Sequence, residues 1–124
     1  MAHYMALLYY PQDRYWDVPE ELRFLPGYGE FGEAAREAGT LVAGEPLHPV
    51  GSATTITVAD GKGGEVMITD GPYADAKEVL GGFFVLDAAD LDEAIRWAAQ
   101  IPAAWRGKVE VRPIATRSDG AAGA

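Results

Sequence analysis

Two runs of this chain, Tyr4 to Tyr10 (YMALLYY) and Gly82 to Leu86 (GFFVL), are apolar at every position rather than at every second one. A strand with one wet face alternates; a strand that does not alternate needs cover on both faces. Met5, Leu7 and Tyr9 oppose Ala6, Leu8 and Tyr10, and Phe83 and Val85 oppose Phe84 and Leu86. Whatever else the chain builds must supply two layers for these strands.

The remaining elements follow from periodicity and punctuation. Pro19 and the acids after it open like a helix over PEELRF, and Pro26-Gly27 interrupts it. From Tyr28 to Ala38, Phe31, Ala34, Ala35 and Ala38 recur at helical steps, and Gly39 suits a left-handed cap. Leu41 to Leu47 reads as an edge strand because Gly44 and Pro46 spoil a central ladder. Ala53 to Ala59 alternates, DGKGG turns the chain, and Glu65 to Thr69 returns, which makes a hairpin. Asp90 and Glu93 have capping-box spacing ahead of an apolar stripe of Leu91, Ala94, Ile95 and Ala98. Lys108 to Ile114 alternates Val109 and Val111 against Glu110 and Arg112.

This order predicts an α+β ferredoxin-like sandwich, βαββαβ with an extra hairpin, as one domain over 1–115 with a disordered tail over 116–124. Two helices cover only one sheet face. Water tolerates bare apolar patches of a few hundred Å², so the second face predicts sheet-to-sheet homodimerisation into a dimeric α/β barrel.

With ten basic and nineteen acidic residues, the 124-residue chain carries a formal charge of −9, which excludes a phosphate backbone or anionic membrane as the expected partner. It has no cysteine, hence no disulfide or thiolate chemistry. The N-terminal apolar run is too short to span a bilayer and lacks signal-peptide features, so a cytoplasmic location is expected. No metal-spaced cluster or phosphate loop is present, and no cofactor is expected.

The stretch TDGPYADAKEVLGGFF, Thr69 to Phe84, carries more charge than a turn between two buried strands requires. Asp70 can lock an Asx-type turn with Gly71 at positive φ, or act as acid, base or orienting partner in a cleft. His48, set between prolines in PLHP after the edge strand, is either an exposed loop histidine or a general base held by Asp70. Gly71, Pro72 and Tyr73 line the same loop. Lys77 either anchors an anionic substrate or is solvated, and Lys77 and Glu78, being adjacent, cannot form a mutual pair. Gly81-Gly82 permits a bulge or close backbone approach. Arg112 either clamps a carboxylate or, with Glu110, protects an edge strand. The tryptophans read as packing groups.

GEPLHP, ATTITV, TDGPYADAKEVLGGFFVLDAADLDEAIRWAAQIPA and VEVRPI together resemble the YCII-related family, in its longer branch named for a DGPF signature. Tyr73 stands where that signature has Phe, and Asp75 where Glu is common. The resemblance spans Tyr4 to Ile114 and implies a bacterial ferredoxin-like dimer. It further implies either an enzyme working through a His and Asp pair or a regulatory role beside an extracytoplasmic-function sigma factor. Two classes therefore stand. One is a small cofactor-free enzyme in which His48 and Asp70 transfer protons, while Gly71, Pro72, Tyr73, Lys77 and Arg112 bind a small organic substrate. The other is a non-catalytic dimer that binds a metabolite or a protein.

Overall fold

The computed structural model describes residues 2–11, 26–48, 50–73 and 77–115. Strand β1 (Ala2–Pro11) is followed by helix α1 (Pro26–Glu37), β2 (Leu41–Pro46), and the hairpin strands β3 (Thr54–Val58) and β4 (Val66–Asp70). Then come β5 (Glu78–Ala88), α2 (Leu91–Ala98), the short α3 (Ala103–Arg106) and β6 (Lys108–Pro113). The four long-range strands form one antiparallel sheet in the order β2-β5-β1-β6, while β3 and β4 pair only with each other. This arrangement is compatible with a ferredoxin-like α+β fold, with a hairpin inserted between the second and third sheet strands. PEELRF, Trp16, Asp75 and the tail after Ala115 lie outside the described residues.

The two non-alternating runs take the two central positions. Register places Ala6 opposite Phe84, Leu8 opposite Gly82 and Tyr4 opposite Leu86, so these residues share one face. That face is the core: Ala6, Leu8, Tyr10 and Leu86 are buried with Phe31 and Ala35 of α1, Ala98 of α2, and Ile101 and Ala103. Burying each large side chain there contributes about 1.5–3 kcal/mol. Met5, Leu7 and Tyr9 point to the opposite face beside Leu80, Phe83 and Val85. Those six are only half-buried, and no described helix packs on them.

Local signals explain the helix ends. Gly39 has φ +73, and Thr40 N–H donates to Ala35 C=O while Gly39 N–H donates to Arg36 C=O. These are the two bonds of a Schellman cap. The Asp90 carboxylate accepts from Glu93 N–H at 2.9 Å, capping α2. The stripe expected on α2 is half right. Ala94 and Ala98 are buried, but Leu91 and Ile95 are exposed, because the helix approaches the sheet through its alanines and Trp97. On α1, likewise, Phe31 and Ala35 are buried and Ala34 and Ala38 are exposed.

β5 is longer than its sequence suggests, beginning at Glu78 rather than Gly82. Register runs Leu8↔Gly82 and then Tyr9↔Leu80, leaving Gly81 as the extra residue of a β-bulge. Glu78 therefore belongs to the sheet, where its carboxylate pairs with Lys108 on β6. Gly44 is explained by the ring opposite: a Cβ there would lie 2.3 Å from Phe84 Cδ1. The aromatic ring covers the glycine and replaces the missing side chain.

Candidate functional site

A cleft of about 190 Å³ opens on the helix side of the sheet. Its walls come from Leu8 and Tyr10 of β1, Tyr28 of α1, Gly44 to Pro46 of β2, and β5 from the bulge at Gly81 to Phe84. Gly44 and Gly82 allow the close packing of this wall, since a Cβ at Gly44 would meet the Phe84 ring and one at Gly82 the Glu45 carbonyl. The bulge is tied to β2 by Leu47 N–H donating to Gly81 C=O at 2.9 Å. Phe84 packs on Phe31 with ring centroids 4.9 Å apart, and Phe31 meets Trp97 edge-on. This aromatic stack fixes the floor.

Tyr28 brings a phenol ring to the cleft wall, which Glu45 and Tyr10 also line. Its Oη is buried and makes no hydrogen bond of normal geometry; it lies toward the Ala103 backbone and the Arg106 charge, neither of which lines the cleft. Burial pushes the phenol well above the usual tyrosine range, an effect the Arg106 charge and the Ala103 backbone offset only in part. The group is a neutral donor at every physiological pH. An unsatisfied buried hydroxyl costs about 1–3 kcal/mol.

The residues singled out in the sequence lie elsewhere. His48 is exposed, two residues beyond the end of β2 and next to the tethered Leu47. Asp70 is the last residue of β4, opposite Thr54, and is exposed. No hydrogen bond or ion pair joins His48 to Asp70 among the described residues. Gly71 takes the expected positive φ of +100, but Asp70 does not lock the turn. Instead Gly71 N–H donates to Ala53 C=O at 2.7 Å, and Thr55 Oγ1 donates to Gly71 C=O at 2.9 Å. Pro72 is exposed, and Tyr73 is 91% exposed.

Arg112 stands on the open sheet face opposite Met5, on the far side of the sheet from the cleft. Lys77 borders a shallow depression with Tyr9, Glu78, Lys108, Val109 and Glu110. The His and Asp that do meet are His3 and Asp87, a cross-strand pair on the open face with Nε2 and Oδ1 4.0 Å apart. Asp87 Oδ1 is buried and accepts no hydrogen bond. Sequence reasoning passed over His3 because it is nearly terminal; only the β1–β5 register brings it to Asp87. Tyr28 was missed as well, although its place three residues before Phe31 puts both on one helical face. Among the described residues no three His, Asp or Glu side chains gather as a metal-holding group.

A family model described as the YCII-related domain matches residues 2–117 of this chain. The chain belongs to the YCII-related family. An uncharacterized protein of Rhizobium meliloti (strain 1021) is 35% identical over 107 residues, covering 85% of this chain and 84% of that protein. The cleft, the hairpin and the open sheet face all lie within the span that defines this YCII-related domain. No described helix is long and apolar enough to cross a membrane.

Proposed function

We propose that this YCII-related protein is a homodimer, joined through its open sheet faces into an α/β barrel, that binds a small uncharged organic molecule in the cleft at Tyr28. The observation that carries the reading is an apolar cleft of about 190 Å³ with the Tyr28 side chain in its wall and the phenol hydroxyl buried behind it without a hydrogen bond. A dry cavity of about 150 Å³ admits benzene, so this one suits a single substituted ring or a molecule of similar bulk. An acceptor atom on that molecule accepts a hydrogen bond from the Tyr28 hydroxyl, which a small turn of the side chain brings toward the cleft. The acidic surface and the Glu45 carboxylate at the wall disfavour an anionic ligand. This departs from anion binding by Lys77 and Arg112, which stand apart from the cleft.

The test is NMR titration with single-ring probes such as benzamide and cyclohexanone, following Leu8, Tyr28 and Phe84. Saturable shifts at millimolar probe are expected, with affinity falling about fivefold in Tyr28→Phe, the worth of one neutral hydrogen bond. Shifts that never saturate, or an unchanged affinity in the variant, would remove the reading.

One observation favours proton-transfer chemistry as a second reading: the Leu47–Gly81 bond ties the chain to the cleft wall one residue before His48, which lies two residues beyond Pro46. In that reading a bound substrate or the second protomer closes His48 and Asp70 together at the cleft rim, with Gly71, Pro72 and Tyr73 as the moving loop. Turnover of an identified substrate that survives Asp70→Asn unchanged would eliminate it.

A further inference from the structure

The β3–β4 hairpin has one apolar side. Ile56 pairs with Ile68 and Val58 with Val66, while Thr55, Thr57, Met67 and Thr69 occupy the other side. The four aliphatic residues are 41 to 66% exposed, and no other described element packs on them to any extent. A lone two-stranded hairpin is marginally stable in water, so such a surface needs cover.

The hairpin is nonetheless well defined. Its base is closed by the Gly71–Ala53 and Thr55–Gly71 bonds. Its tip is closed by Ala59 N–H donating to Glu65 C=O, with Asp60, Gly61 and Gly63 in left-handed conformations. It is a preformed ribbon presenting aliphatic side chains to solvent.

We propose that this hairpin is a docking arm whose Ile56, Val58, Val66 and Ile68 side packs against a second copy of the chain. The inference rests on the sheet-to-sheet dimer proposed above and supplies the part that completes it. Size is the first argument. The open sheet face offers roughly a dozen residues, whereas a stable interface takes about 20–30 a side, and the arm's six inward positions approach that number. Charge is the second. Asp70 ends the apolar row of the arm, and Arg112 stands on the rim of the open sheet face; each is exposed and without an ion-pair partner among the described residues. In a dimer the arm's Asp70 can meet Arg112 of the other copy. A net charge of −9 argues against nucleic acid or anionic lipid as the occupant.

Sedimentation equilibrium on the wild-type chain, on Ile56→Lys/Ile68→Lys and on Thr57→Lys/Thr69→Lys tests the arm, with circular dichroism checking that each folds. Dimer dissociation is expected to rise about a hundredfold for the isoleucine variant and to change little for the threonine variant. A wild-type dimer with both variants equally tight overturns the arm and leaves the sheet dimer standing. A wild-type monomer overturns both. Because the chain has no cysteine, a mixture of Asp70→Cys and Arg112→Cys proteins gives a second readout that requires no disruptive charge. Preferential formation of the mixed disulfide supports the arm, and its absence on oxidation of a confirmed dimer counts against it.

Discussion

At the scale of single residues, Tyr28 carries the most distinctive chemistry, and its environment fixes a pH response. Below about pH 10 the folded and unfolded chains both keep the phenol protonated. Above it the unfolded chain gives up the proton while the buried group holds it, so stability falls as pH rises from there toward the raised native value. Urea midpoints at pH 8 and pH 11 should show a loss for the wild-type chain that is smaller in Tyr28→Phe. At pH 8 the same variant should be at least as stable as wild type, because it removes a buried hydroxyl that has no partner. The spacing to Phe31 places Tyr28 on the inner helix face, but Tyr10, Phe84 and Ala103 reach it from distant parts of the chain, which no local signal shows. His48 and Asp70 stood out because polar residues near turns are conspicuous in sequence; among the described residues, the buried side-chain atoms that lack partners belong to Tyr28 and Asp87.

Elements were far more legible. The central placement of β1 and β5 follows from their lack of alternation, the edge placement of β2 from Gly44 and Pro46, and the α2 cap from Asp90. What escaped was the start of β5. Glu78 to Leu80 look like loop because charge and two glycines flank them, yet the bulge at Gly81 lets the strand continue through them. The orientation of α2 escaped for a related reason: alanines allow closer approach than Leu91 and Ile95, and periodicity alone does not rank the two faces. The β2–β5 ladder gives a prediction at this scale. Gly44→Ala places a methyl within 2.3 Å of the Phe84 ring, so the ring must leave its seat on Phe31. We expect about 1–3 kcal/mol of destabilisation by denaturant titration, together with loss of probe binding in the cleft.

Over the whole molecule, the described helices cover one face of the sheet, and the half-buried row of Met5, Leu7, Tyr9, Phe83 and Val85 lies on the other, where no described helix packs. If two copies share that face, stability depends on protein concentration. The thermal midpoint should then rise by roughly 3 °C for each tenfold increase in concentration, measured by calorimetry. A midpoint that is flat over two decades would mean that a single subunit is the stable unit.

The hairpin also bears on the life of a newly made subunit. Its outer backbone edges are unpaired, and its β-branched side chains are those that stack readily with their own kind. If the arm docks on a second copy, a chain without one exposes a ribbon that can seed fibrous or amorphous aggregates. Lys62 and Glu65 near the tip and Asp70 at the root act as charged gatekeepers on that ribbon. If pairing is what covers the ribbon, precipitation is expected where synthesis outruns pairing and unpaired chains accumulate, not at low concentration.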